Sequence, residues 1–167
     1  MQISAPDYHQ ILRILTDHGV NFIVVGGVSA AIQGAPYTTF DLDVVHARDA
    51  ENIRRLLSAL EKLEAYYRTN PEGRSKPYAS HLSSLGHQRL TTRLGYLDIL
   101  GMIGRGHEYD DLLPHSVEMD VGEGVGVRVL DLETLIRMKE EVAAEKDQAV
   151  LPLLRRTLEE KSRKREK

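Results

Sequence analysis

The stretch Phe22-Ile23-Val24-Val25-Gly26-Gly27-Val28-Ser29-Ala30, followed by Thr39-Phe40-Asp41-Leu42-Asp43-Val44-Val45, decides the fold. An apolar run ends in a glycine pair and then small residues, the pattern of a buried strand turning sharply into a short helix. Fourteen residues after Gly27 an acidic pair stands between apolar neighbours. Alternation along a strand puts Asp41 and Asp43 on one face, about 7 Å apart, and turns Leu42 to the other. Such a pair can share divalent metal ions, and a glycine pair lets backbone approach a phosphate closely. Each feature alone also has a plain structural reading: a tight turn for the glycines, a solvated strand face for the carboxylates. Together they point to one cleft, because a short helix returns the chain to lay the second strand beside the first.

Working outward, Asp7 to His18 reads as an opening helix, with Tyr8, Ile11, Leu12 and Leu15 at helical spacing and Gly19 as its stop. The periodicity predicts a strand over Asn21–Val25, a helix over Val28–Gln33, a strand over Phe40–His46 and an amphipathic helix over Asp49–Leu63. Thr69 to Pro77 is rich in Pro, Gly and charge and reads as a loop. Strands are expected over Gln88–Thr92 and Tyr96–Met102, around an Arg93-Leu94-Gly95 turn, with loop or short helix over Gly104–Leu113. A hairpin is expected from Ser116–Met119 and Val125–Val129. Asp131 then caps a helix to about Ala144, and a last helix covers Lys146–Glu160 with Pro152 as a local interruption. The expected fold class is α/β (α+β): a mixed β-sheet with helices packed on it, in a single domain over residues 1–167 whose C-terminal helices start near 131.

The 167 residues suffice for a real core. Apolar residues at 41% and charged residues at 28% are those of a globular protein. With no cysteine there is no disulfide, thiolate metal site or cysteine nucleophile, which fits a cytoplasmic location. No signal peptide is expected at Met1–Asp7, and no run reaches the roughly 18 apolar residues of a membrane span. Residues Arg155–Lys167 carry seven Lys/Arg against three Asp/Glu, a tail of +4 on a chain of net −3. Its cations suit a solvated helix C-terminus or a polyanion such as RNA.

Three further features bear on chemistry. Asp98 is a lone charge in the apolar run Leu94-Gly95-Tyr96-Leu97-Asp98-Ile99-Leu100, so it needs a metal or a salt bridge, for which Arg89 and Arg93 are the nearest in sequence. Lys139 follows an apolar helix face and is either a snorkelling surface lysine or a phosphate contact. His46, His81 and His87 could serve as ligands or bases, but seven histidines without a close-spaced pair on one helical face read as surface or loop residues.

Val25-Gly26-Gly27, then Asp41-Leu42-Asp43, then Asp98 resemble the nucleotidyltransferase superfamily with the DNA polymerase beta-like fold. They resemble most its minimal and toxin-type bacterial branch. Val129-Leu130-Asp131-Leu132-Glu133-Thr134-Leu135-Ile136-Arg137-Met138-Lys139, with Glu145-Lys146-Asp147 after it, is similar to that branch's closing helices. The resemblance runs from about Phe22 to Leu158. It implies a metal-dependent transferase that moves a nucleoside monophosphate from a nucleoside triphosphate such as ATP to an acceptor. Asp41, Asp43 and Asp98 would be the catalytic carboxylates and the ligands of Mg²⁺ or Mn²⁺; Gly26, Gly27 and Lys139 would bind the nucleotide. The acceptor, whether RNA, a protein or a small molecule, is expected to dock near the loop Thr69–Pro77. A partner protein in a toxin–antitoxin system is also implied. Two positions depart from the pattern: Tyr37 and Ala144 stand where related proteins often carry Arg. Either Arg89, Arg93, Arg105 and Lys146 supply the missing charge, or the chain is a catalytically weak member acting as a binding partner.

Overall fold

The computed structural model of the protein describes residues 5–142 and 145–166. In chain order the elements are α1 (Tyr8–Asp17), β1 (Phe22–Val25), α2 (Gly26–Ile32), β2 (Asp41–His46), α3 (Ala50–Lys62), β3 (Tyr66–Tyr67), α4 (Ala79–Ser83), β4 (His87–Thr92), β5 (Gly95–Leu100), α5 (Tyr109–Leu112), β6 (Ser116–Asp120), β7 (Gly126–Leu130), α6 (Leu132–Val142) and α7 (Glu145–Arg165). The strands form one mixed sheet in the order β3-β4-β5-β2-β1-β7-β6. β1 runs antiparallel to β2 and parallel to β7, and β2 runs parallel to β5. No helix among the described residues is long and apolar enough to cross a membrane.

The two faces of the sheet are built differently. Leu42 and Val44 of β2, Leu97 and Ile99 of β5 and Leu90 of β4 point to one face, where Ile11 and Leu15 of α1 and Leu56 and Leu60 of α3 complete a buried core. Asp7 caps α1 and Asp49 caps α3, each accepting a backbone N–H three residues on, which fixes both helix starts. The opposite face carries Ile23, Val25, Val45 and Leu130. Ala30 of α2, Leu135 and Met138 of α6 and Leu151 and Leu154 of α7 cover it. On that face side chains of the β3-β4-β5 half stay accessible: His87, Arg89 and Tyr96 are exposed and Tyr66 and Thr91 half-buried. The acidic residues lie on this second face, at the border between its covered and uncovered halves.

Most elements lie where periodicity places them, and the differences have local causes. α2 begins at Gly26 rather than Val28, so the glycine pair forms the first turn of the helix instead of preceding it. Gly26 makes this possible with φ +67, which lets the chain leave β1 and enter the helix without a linker. Pro152 does not interrupt the last helix, which runs unbroken from Glu145 to Arg165. Burial of Leu151 and Leu154 against α6 holds both sides of the proline in one element. β3 and α4 were not legible, because two and five residues are too short to show a period.

Candidate active site at the border of the open sheet face

Register places the acidic residues. Asp43 lies directly opposite Val25 on β1 and Asp98 on β5, and Asp98 lies opposite Arg89 on β4. Directly paired residues share a face, so Asp98 stands on the same side as Asp41 and Asp43. One pair further along, Asp41 lies opposite Tyr96, which lies opposite Thr91, which lies opposite Tyr66. Tyr8 steadies the entry to β2 by donating its hydroxyl to the Thr39 carbonyl at 2.9 Å.

Among the described residues Asp43, His87 and Asp98 form a donor cluster, each offering an atom within 4.8 Å of the others. His87 Nε2 lies 3.2 Å from Asp98 Oδ2. Asp41 stands outside this cluster, with 39% of its side chain exposed and Arg68 Nη1 3.8 Å away. Sequence reading singled out the three aspartates, which the register brings to one face, and read His87 as a surface or loop residue, whereas it opens a strand two residues before Arg89 on the face that bears Asp98. His46 and His81 go elsewhere. The His46 ring nitrogens meet the Leu100 and Leu82 carbonyls at 3.1 and 2.8 Å. His81 accepts the Tyr78 N–H at 3.0 Å.

The charge that answers Asp98 comes from neither Arg89 nor Arg93. Arg68 Nη2 donates to Asp98 Oδ1 at 2.9 Å and to the Leu90 carbonyl at 3.1 Å. Its guanidinium stacks 4.0 Å from the Tyr96 ring centroid, and its Nε is buried with no partner among the described residues. Arg93 turns away to the Lys62 carbonyl and Glu64, and the Arg105 N–H points to Glu141. Ala144 and the side chains of Lys146 and Asp147 lie outside the described residues. Arg68→Ala should therefore lower the unfolding free energy by about 1–3 kcal/mol, since it strips a buried carboxylate of its cation. Urea unfolding at neutral pH measures it; a loss under about 0.5 kcal/mol would show that His87 alone suffices for Asp98.

Electrostatics separate the two neighbouring carboxyls. Burial pushes Asp43 up, the Asp98 and Asp41 charges push it further, and the result is about 7. Burial pushes Asp98 up as well, but the hydrogen bond from His87 and the Arg68 charge outweigh it and hold Asp98 below the usual carboxylate range. The paired carboxyls thus hold a proton on Asp43 and a charge on Asp98, the pattern of crowded like charges short of a cation.

A cavity of about 200 Å³ opens beside this cluster, lined by Gly26, Asp43, His87 and Lys139 together with Val25, Leu100, Leu135 and Met138. It brings together three of the residues singled out from sequence, on β1–α2, β2 and α6. Gly27 is not among its lining residues. A Cβ there would lie 2.2 Å from the Tyr37 ring and 2.9 Å from Thr39 Cβ, so Gly27 makes room for the tyrosine that replaces the pattern's arginine. At Gly26 a Cβ would lie 2.4 Å from Asp43 Oδ2, so this glycine makes room for the carboxylate.

No family model and no curated protein matches the chain. Solved structures do. The lincomycin-bound crystal structure of the lincosamide antibiotic adenylyltransferase LnuA is 14% identical, with a TM-score of 0.58 over 89% of this chain and 94% of its own. The crystal structure of ANT(2'')-Ia in complex with adenylyl-2''-tobramycin is 17% identical, with a TM-score of 0.58 over 90% of this chain and 87% of its own. The solution structure of the antibiotic-resistance factor ANT(2'')-Ia is 16% identical, with a TM-score of 0.58 over 90% and 82%. At these identities the likeness is one of architecture, and the chain has the nucleotidyltransferase fold.

Proposed function

We propose that this protein is a nucleotidyltransferase that moves a nucleoside monophosphate from a nucleoside triphosphate, such as ATP, to a hydroxyl of an acceptor. The observation that carries the reading is the convergence of Asp43, His87, Gly26 and Lys139 on one cavity, with Asp98 hydrogen-bonded behind it. LnuA and ANT(2'')-Ia, whose structures hold lincomycin and adenylyl-2''-tobramycin, lend the same architecture to adenylyl transfer.

The donor set fits a divalent cation. Two carboxylates and an imidazole offer atoms within 4.8 Å of one another, and Asp43 holds a proton that a cation would displace. Carboxylates suit Mg²⁺ and Mn²⁺, and the imidazole tips the choice between them toward Mn²⁺. Asp43, Asp98 and His87 would hold the ion, with Asp41 beside them. When bound, it lowers the pKa of the acceptor hydroxyl and neutralises charge on the phosphates. Asp98, kept ionised by Arg68 and His87, serves as third ligand of the ion or as the base for the hydroxyl proton. Lys139 supplies a point charge for the phosphates, and Gly26 lets them approach the backbone where α2 starts. Leu135 and Met138 of α6 shield the cavity wall from water.

Calorimetry with ATP in the presence and absence of Mg²⁺ or Mn²⁺ tests the reading. Binding that needs the cation, and that Asp41→Asn/Asp43→Asn loses, is the expected result. Equal affinity for wild type and double mutant with metal present would sink it.

A second reading rests on Tyr37, whose ring packs over Gly27 where the pattern carries a phosphate-seeking arginine. In that case the protein would bind nucleotide without turnover and act as a partner protein, for example within a toxin–antitoxin pair. Transfer of labelled nucleotide to any acceptor from a panel of RNA, protein and antibiotics decides against it.

A further inference from the structure

Arg68 borders the acidic residues away from the cavity: it is not among the residues that line that cavity, whereas Lys139 is. Two of its anchors owe nothing to the carboxylates, the Leu90 carbonyl that accepts from Nη2 and the Tyr96 ring against which the guanidinium stacks. The hydrogen bond from the Arg68 N–H to the Arg89 carbonyl ties its backbone to β4. A guanidinium held in this way belongs to the frame and stays when a cation arrives to neutralise the carboxylates. Half of its fork is unspent. Nη2 carries both hydrogen bonds of the terminal nitrogens, whereas Nη1 makes none among the described residues and faces Asp41 Oδ1 at 3.8 Å. That separation is too long for a hydrogen bond, and Asp41 is the carboxylate that stands outside the donor cluster.

We propose that Arg68 is a substrate-contacting residue: its Nη1 donates to a non-bridging oxygen of the α-phosphate of the bound triphosphate, where the fixed guanidinium takes the place of a second divalent ion. The inference rests on the nucleotidyl-transfer reading. Placement selects the phosphate. The cavity beside Asp43 holds Gly26 and Lys139, and takes the end of the triphosphate that leaves as pyrophosphate. The phosphorus under attack lies over the carboxylates that hold the ion. Arg68 borders those carboxylates from the other side, so it reaches the α-phosphate and not the two beyond it. Charge selects the ion count. Asp43, His87 and Asp98 offer donors for a single cation, and Asp41, which with Asp43 could share another, already faces a guanidinium. A triphosphate carries more charge than one divalent ion and Lys139 neutralise. Arg68 adds a cation that does not deprotonate, with its N–H groups in a planar fork that suits the oxygens of a phosphate.

Three probes separate a contact from a support: Mn²⁺ alone, Mn²⁺ with pyrophosphate, and Mn²⁺ with an ATP analogue whose α–β bridging oxygen is a methylene group. Calorimetry at pH 8 gives their affinities for the full chain and for Arg68→Gln, Arg68→Lys and Arg93→Gln, with circular dichroism confirming that each variant is folded. Arg68→Gln is expected to bind the analogue about tenfold more weakly, the scale of one charge-assisted hydrogen bond. It should bind Mn²⁺ alone and Mn²⁺ with pyrophosphate at least as tightly as wild type, because a neighbouring positive charge has gone. A residue that merely holds Asp98 would move all three affinities together, since each depends on the ion. Arg68→Lys keeps the charge without the fork and should recover part of the lost affinity. Arg93 turns to the Lys62 carbonyl and Glu64, so Arg93→Gln should match wild type. Electron spin resonance of wild type with Mn²⁺ and the analogue counts the ions: an isolated ion is expected, whereas a second would form a spin-coupled pair about 4 Å apart. The proposal is overturned by a coupled pair in wild type, by an Arg68→Gln variant that binds the analogue as wild type does, or by equal losses for all three probes. Should Arg68→Gln fail to fold, Arg68→Lys and the wild-type spectrum carry the same test. All of these outcomes leave cation-dependent binding of the analogue by wild type in place; if that is missing, the nucleotidyl-transfer reading itself fails.

Discussion

Asp43→Asn is expected to abolish nucleotidyl transfer and, in the metal-free protein, to raise the melting temperature above pH 7. Both effects come from one carboxyl. Burial and the Asp98 and Asp41 charges raise Asp43 to about 7 in the folded protein, far above its value in an unfolded chain. Between the two values the folded state binds the extra proton, so stability falls as pH rises through this window and the full penalty is present above pH 7. Asparagine keeps the shape, donates permanently to Asp98 and never carries the charge. Each unit of such a shift corresponds to about 1.4 kcal/mol, so the relief is a few kcal/mol, or about 5–10 °C at pH 8 for a chain of this size. The gain should shrink steadily toward pH 4, where wild-type Asp43 is itself protonated. Scanning calorimetry of both proteins from pH 4 to 8 with chelator measures it. A gain independent of pH would show that the effect is packing rather than charge. With Mn²⁺ present the order should reverse, since only wild type keeps the ligand that a bound cation stabilises.

How much of this site was legible in the sequence depends on whether the signal was local. Asp41 and Asp43 follow from alternation within one strand, and Asp98 from being the single charge in an apolar run. The hairpin from Ser116 to Leu130 follows from its glycines, and α6 from Asp131, whose carboxylate accepts the Thr134 N–H at 2.7 Å. Arg68 was not legible. It follows a two-residue strand whose pairing with β4 is set by the sheet, and the hydrogen bond from its N–H to the Arg89 carbonyl at 3.0 Å brings it to Asp98, 30 residues away. His87 was hidden for the same reason, since nothing in its neighbours distinguishes a loop histidine from one opening a strand beside Asp98. The glycine pair was legible as special, but its first duty is internal: Gly26 accommodates Asp43 and Gly27 accommodates Tyr37. A spacing pattern records that a small residue is needed and leaves open what it is needed for.

That internal duty makes Gly26→Ala the second substitution with a large expected effect. Gly26 sits at φ +67, a conformation that costs an alanine about 1–2 kcal/mol. Its new methyl would also meet Asp43 Oδ2 at 2.4 Å, Cγ at 3.2 Å and Cβ at 3.3 Å. A short side chain on a central strand has little freedom to withdraw, so either the carboxylate rotates out of the cluster or β1 and β2 move apart; overpacking of this kind costs about 1–3 kcal/mol more. Gly34→Ala separates the two contributions. Gly34 has φ +101, and a Cβ there meets nothing within 4 Å, so its alanine carries backbone strain alone. Gly26→Ala should therefore be less stable than Gly34→Ala by urea unfolding and should bind ATP with Mn²⁺ at least tenfold more weakly, while Gly34→Ala binds as wild type does. Removing the obstructing carboxylate with Asp43→Ala should return part of the stability lost in Gly26→Ala, a coupling that independent sites do not show. Equal losses for the two glycines with full ATP affinity in both would mean that Asp43 does not rest against Gly26, and the cavity would lose the contact that ties the acidic strand to the start of α2.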